Sequence, residues 1–121
     1  MAEELDASDL SDVLGQAQVL RILELASGRP MSAEELAERC DVSLSTVYRR
    51  VKVLEEYDLL DDRTQVDADG QHFTVYRTSL NRLCLRVDDG ELRVTVSRTA
   101  DTVDRFRRFW KALRARRGRR G

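Results

Sequence analysis

The chain has 121 residues, of which 41% are hydrophobic, and a formal net charge of −1. That length supports one modest core rather than two, and the apolar content is ordinary for a domain that folds without disulfide or metal staples. No apolar run approaches the roughly 18 residues of a membrane span, and the acidic opening segment does not read as a secretory leader, so the expectation is a soluble, cytoplasmic protein.

The charges are unevenly placed. Glu3, Glu4, Asp6, Asp9 and Asp12 open the chain without a base among them, whereas everything charged from Arg105 onward is basic. Such a tail either binds phosphate backbones or is a solvated end. Lys52 and Lys111 are the only lysines. With the many acids, this composition hints at a high-salt or GC-rich source. Cys40 and Cys84 lie far apart without a CxxC pairing and read as small buried apolar side chains.

The first helix is expected from about Asp9 to Ala26, because Val19, Ile22, Leu23 and Ala26 recur at helical spacing. Gly15 interrupts it, which leaves open a separate turn around Leu10 and Leu14. Gly28 and Pro30 stop it. Ser32 then caps a short helix carrying Glu34 and Glu35 in its first turn, where the helix dipole favours acids. That helix ends near Cys40. Asp41-Val42-Ser43 is a tight connection, and Ser43 caps a longer helix from Leu44 to about Tyr57. Val47, Val51 and Leu54 are its buried stripe; Ser45, Arg49 and Lys52 face outward. Two helices joined by so short a turn, the second with a polar and basic outer face, have helix-turn-helix spacing.

Two hairpins follow. A two-residue turn at Asp69-Gly70 pairs Val66 with Phe73, Thr64 with Val75 and Asp62 with Arg77, giving a wing with one apolar face. A second turn at Asp89-Gly90 pairs Val87 with Leu92, Leu85 with Val94 and Leu83 with Val96, so that every inward pair is aliphatic. This register opposes Arg86 to Arg93, an unfavourable pair that calls for Asp88, Glu91 or a partner anion nearby. A last helix is expected from about Thr99 to Ala115. Its stripe of Val103, Phe106, Trp110 and Leu113, with Phe109 beside it, must be covered by the second hairpin or by another subunit.

The run MSAEELAERCDVSLSTVYRRVKVLEEYDLL, residues 31–60, together with the preceding VLRILELA, resembles the winged helix-turn-helix regulators of archaea and bacteria, in particular the arsenical-resistance-repressor (ArsR-like) superfamily. The resemblance covers roughly residues 13–80. It implies an α+β dimeric winged helix-turn-helix whose activity is operator binding. To this the chain adds a C-terminal β-hairpin and a C-terminal dimerisation helix, dividing it into a DNA-binding domain at 1–80 and a dimerisation extension with a basic tail at 81–121. The resemblance places base reading on Leu44, Ser45, Tyr48 and Arg49, with Thr46 and Arg50 adjacent. The chemistry agrees. Arg49 suits a bidentate contact to guanine and Leu44 a thymine methyl, while Arg50 and Lys52 suit phosphates.

The sequence departs from that superfamily in three respects. Neither the recognition helix nor the last helix holds a Cys or His, so no metal site and no cofactor is expected. Asp67 and Asp69 at the wing tip repel a backbone, leaving Arg63, Gln71 and His72 as the wing's candidate DNA contacts. The hairpin at 82–97 is extra. No Gly-rich phosphate loop and no nucleophile with a paired base appears, so an enzyme is not expected. The partners expected are double-stranded DNA and a second copy of the chain, with no membrane; the sequence names no small-molecule effector. Two other readings remain open: a winged-helix protein-docking module of a transcription complex, and a nonspecific nucleic-acid binder acting through the arginine-rich tail. Redox sensing through Cys40 requires exposure and an electropositive setting, and Asp41 offsets Arg39 beside it.

Overall fold

A computed structural model of the protein describes residues 2–99. The stripe Val103, Phe106, Phe109, Trp110 and Leu113 and the arginine-rich tail lie outside the described residues. The described chain is α+β, with four helices and two three-stranded antiparallel sheets. In order, these are β1 (Ala2–Leu5), α1 (Ala7–Leu14), α2 (Val19–Gly28), β2 (Met31–Ser32), α3 (Ala33–Cys40), α4 (Leu44–Glu56), β3 (Leu60–Val66), β4 (His72–Thr78), β5 (Leu80–Asp88) and β6 (Glu91–Arg98). No helix among the described residues is long and apolar enough to cross a membrane.

The helix expected from Asp9 to Ala26 is two helices. Asp6 caps α1 by accepting from the Asp9 N–H at 3.0 Å, and the Gly15 N–H closes the last turn on the Ser11 carbonyl. The chain then reverses through Gln18, whose left-handed φ of 75° no helix interior accommodates. The two caps read from the sequence are present: the Ser32 and Ser43 hydroxyls accept from the Glu35 and Thr46 N–H groups at 3.2 Å. Asp41 turns the chain between α3 and α4 in the left-handed region, its N–H bonded back into α3.

One continuous core holds these elements. Val19, Ile22, Leu23 and Ala26 of α2 meet Leu36 and Cys40 of α3 and Val47, Val51 and Leu54 of α4. Leu59, Leu60 and Tyr76 close it from the sheet side, and Leu10 and Val13 of α1 carry it to Val94 and Val96 of β6. The buried Thr78 hydroxyl ties β4 to α2 by donating to the Leu23 carbonyl at 2.6 Å. Burial pushes the Tyr76 phenol up to about 12, and Glu55, Tyr48, Asp62 and Glu34 around it add to the rise. A raised phenol favours the neutral, folded form. That contribution is complete below pH 10 and is lost as pH rises through about 12. Denaturant titrations should therefore show stability falling over that window, and falling less in Tyr76→Phe; identical pH slopes in the two proteins would refute the assignment.

The two hairpins differ in how far their turns decide the register. At Asp89-Gly90 both residues have positive φ, 50° and 77°, the geometry of a two-residue type I′ turn. The expected pairs follow: Val87 with Leu92, Leu85 with Val94, Leu83 with Val96. The first hairpin departs by one residue. Val66 pairs with His72, Gln65 with Phe73, Arg63 with Val75 and Asp61, not Asp62, with Arg77. Of Asp69 and Gly70, only Gly70 has positive φ, at 79°, so the loop runs over three residues with glycine in the left-handed position. The Asp67 carboxylate, accepting from the Asp69 and Gln71 N–H groups at 2.9 Å, fixes that form. The shift puts Val66 and Phe73 on opposite faces of the hairpin, both exposed, so the single apolar face expected there is not formed.

The second sheet holds a strand with no counterpart in the sequence reading. β1 lies along β6, with Glu3 opposite Val96 and Leu5 opposite Val94. At the far end of this sheet Val87 is 78% exposed, and Leu85 and Leu92 are exposed beside it. The expected aliphatic pairs therefore form, but only the half nearest α1 is covered. Arg86 and Arg93 do oppose each other, each relieved within its own strand, by Asp88 and Glu91 at 3.2 Å.

Candidate nucleic-acid interface

Helix α4 is anchored from beneath and open above. Val47, Val51 and Leu54 are at most 2% exposed; Ser45, Tyr48, Arg49 and Lys52 lie on the exposed side. Between Ser43 and Leu54 the helix carries Arg49, Arg50 and Lys52 and no acid. Leu44 and Tyr48, one helical turn apart, are 38% and 47% exposed.

The hydroxyls at the start of α4 bond one another. Ser43 Oγ lies 3.1 Å from Ser45 Oγ and 2.9 Å from Thr46 Oγ1, and Arg49 Nη2 donates to Thr46 Oγ1 at 3.4 Å. The cap thus preorganises the N-terminal turn and draws Arg49 along it. Arg50 takes a direction that the sequence did not suggest. Its Nε donates to the Ala17 carbonyl at 3.0 Å and its Nη1 to Gln16 Oε1 at 3.2 Å, pinning α4 to the α1–α2 connection. A guanidinium has five donors, so these two bonds leave others for an anion.

The wing candidates are not brought together. Side chains alternate along a strand. Arg63, opposite Val75, and His72, opposite Val66, therefore project from opposite faces of the β3–β4 hairpin, while Gln71 sits in the loop, its carbonyl bonded to the Asp67 N–H. The Asp67 carboxylate is engaged within that loop.

Sequence reasoning missed Arg98. Its side chain, 10% exposed, donates from Nε to the Asp58 carbonyl at 2.9 Å and from Nη2 to the Tyr57 carbonyl at 2.8 Å. Its Nη1 meets the Glu3 carboxylate. A cation is favoured at a helix C-terminus, where carbonyls lack helical partners. Here it fastens the end of α4 to β6 and β1. No spacing rule marks such a residue, since strand positions with arginine are normally solvated.

Cys40 is buried, and burial pushes its thiol up, with nearby Arg21 acting the other way and more weakly. A thiol held protonated is a poor nucleophile, which argues against redox sensing there. Cys84 is only half-buried. Among the described residues no group of three or more His, Cys, Asp or Glu side chains is placed to hold a metal ion.

Residues 16–63, spanning α2, α3, α4 and the start of β3, match the helix-turn-helix domain family. No curated protein matches the sequence. Among solved structures, a possible transcriptional regulator from Methanosarcina mazei Go1 is similar at 19% identity and a TM-score of 0.48, over 63% of this chain and 73% of that one.

Proposed function

We propose that the protein is a sequence-specific, DNA-binding transcription regulator of the winged helix-turn-helix type, ArsR-like, that acts as a homodimer and performs no catalysis. The observation that carries this reading is α4: a helix buried on one side, acid-free through most of its length, and presenting Ser45, Arg49 and Lys52 after a capped and tightly turned entry. Such a helix fits a major groove about 12 Å wide. Arg49 reads guanine, Ser45 and Thr46 contact base edge or phosphate, and Lys52 and Arg50 hold the backbone. Of the wing candidates, Arg63 and His72 project from opposite faces of the β3–β4 hairpin, so only one of the two, with Gln71 in the loop, supplies a wing contact. The exposed apolar end of the second hairpin, with Leu85, Val87 and Leu92, supports a dimer, in which the stripe Val103, Phe106, Phe109, Trp110 and Leu113 is the other apolar element.

Selection from pooled genomic duplexes at two salt concentrations tests this, with Arg49→Ala in parallel. The expected result is enrichment of a two-fold-related sequence, and a loss of roughly 1–3 kcal/mol of discrimination at one guanine in the variant. Weak, salt-sensitive binding without enrichment would instead mark a nonspecific binder. Absence of duplex binding would mark a protein-docking module.

A further inference from the structure

We infer that a second copy of the chain pairs with the first along β5, antiparallel and in one register. Leu85 lies opposite Leu85 of the second copy, Leu83 opposite its Val87 and Arg82 opposite its Asp88. This deepens the proposed homodimer and rests on it.

β5 is an open edge of its sheet, whose order is β1-β6-β5. The opposite edge, β1, is short and carries Glu3 and Glu4, features that keep an edge from pairing. β5 runs from Leu80 to Asp88 without a proline, and its irregularity lies at its start, between Leu80 and Arg82. Asp88 and Glu91 flank the two-residue turn, so they exchange its closing backbone bonds, and such pairs alternate along an antiparallel ladder. Arg86 with Arg93 and Cys84 with Thr95 are the next bonded pairs. Leu83, Leu85 and Val87 therefore turn their N–H and C=O groups to the open edge. Their side chains share the face on which α1 packs, where Leu85 and Val87 are 57% and 78% exposed. An edge with backbone groups and aliphatic side chains both unmet is a template for another strand.

Charge selects both the occupant and the register. The other face of β5 carries Arg82, Cys84, Arg86 and Asp88. Arg82 is exposed and has no ion-pair partner among the described residues. A two-fold centred on Leu85 sets each Arg82 opposite an Asp88 and each Cys84 opposite an Arg86, and it uses the whole regular stretch, 82–88. Moving the centre to Cys84 opposes Arg82 to Arg86; moving it to Arg86 opposes that residue to itself. Like charges directly opposed are destabilising. Centres further out run into the irregularity at Leu80 or the turn at Asp89. The strand is thus complementary to its own reverse in one central register, which points to a second copy as the strand it receives. The same register joins the exposed aliphatics, because Leu83 and Val87 of the two copies meet on either side of the Leu85 pair. The two-fold that sets half-site spacing in a dimeric reader then passes between the two Leu85 residues.

Cross-linking reads the register. Residues directly opposed in a non-hydrogen-bonded pair have Cα atoms about 4.5 Å apart, within disulfide reach, whereas diagonal neighbours at about 7–8 Å are outside it. Cys84 and Arg86 of the second copy form such a directly opposed pair. Arg86→Cys should therefore give a disulfide-linked dimer under diamide, seen by non-reducing electrophoresis, while wild type and Arg86→Cys/Cys84→Ser should not. Arg82→Asp and Asp88→Arg should each weaken association about tenfold in sedimentation, since each turns both opposite-charge pairs of the dimer into like-charge ones. Mixing these two variants should restore it, because each supplies the charge that the other lacks; a folding defect in either chain would not be repaired by mixing. A dimer that gives no link in Arg86→Cys and is indifferent to both reversals would overturn the inference while leaving the homodimer standing. A link in wild type or in Arg86→Cys/Cys84→Ser would move the two-fold to position 84 or 86 and overturn the register. A monomer at every concentration would remove both.

Discussion

Leu54→Ala should destabilise the protein by about 2–5 kcal/mol, the range for a leucine deleted from a core that cannot collapse around the gap. Leu54 is fully buried on the underside of α4. Its carbonyl also accepts from the Leu59 N–H at 3.0 Å, across a turn in which Asp58 takes a left-handed φ of 55°. Leu59 and Leu60 are fully buried directly after that turn. The residue is thus fenced by helix, turn and sheet, and a cavity left there should persist. Thermal unfolding followed by circular dichroism should show a Tm lower by roughly 10 °C or more. A loss below about 1 kcal/mol would mean that α4 is not held by its buried stripe.

The second large effect is expected at Arg98. Hydrogen bonds made by a charged group contribute roughly 1.5–3 kcal/mol, and Arg98 supplies two to carbonyls at the end of α4 from a position only 10% exposed. Arg98→Ala should therefore cost about 2–3 kcal/mol. Arg98→Lys should recover little, because an ammonium cannot fork between the Tyr57 and Asp58 carbonyls and Glu3 at once. Glu3 is itself 56% exposed, and an ion pair so open to water is worth under about 1 kcal/mol. Glu3→Gln should be correspondingly mild. If the two variants proved equally damaging in urea titrations, the ion pair rather than the carbonyl clamp would be what matters.

Much of the helix-turn-helix was legible because short-range chemistry decides it. Ser32 and Ser43 are placed where caps must be, and the periodic stripes of α2 and α4 leave little choice of buried face. The second hairpin was legible for the same reason, since Asp89 and Gly90 together specify one turn. The first hairpin was misread by one residue: Asp67 enforces the three-residue loop from outside the Asp-Gly pair, a side-chain effect that the dipeptide does not announce. β1 was invisible because Ala2-Glu3-Glu4-Leu5 has no strand signature of its own; it is a strand only because β6 offers an edge. In the candidate interface, the exposed positions on α4 could be read from spacing. The inward engagement of Arg50 and the clamp by Arg98 could not, since both depend on which carbonyls the fold brings within reach.

The pairing of β1 with β6 also sets an order of assembly. Ala2 finds its partner at Ser97, almost the full described length away, and contacts of such sequence separation form late because the loop they close is long. As the chain leaves the ribosome, α2, α3, α4 and the first hairpin can condense from neighbours already made. The opening residues must wait for β6. Helix α4 is therefore built early, and the strap that Arg98 and Glu3 draw across its end is fastened last.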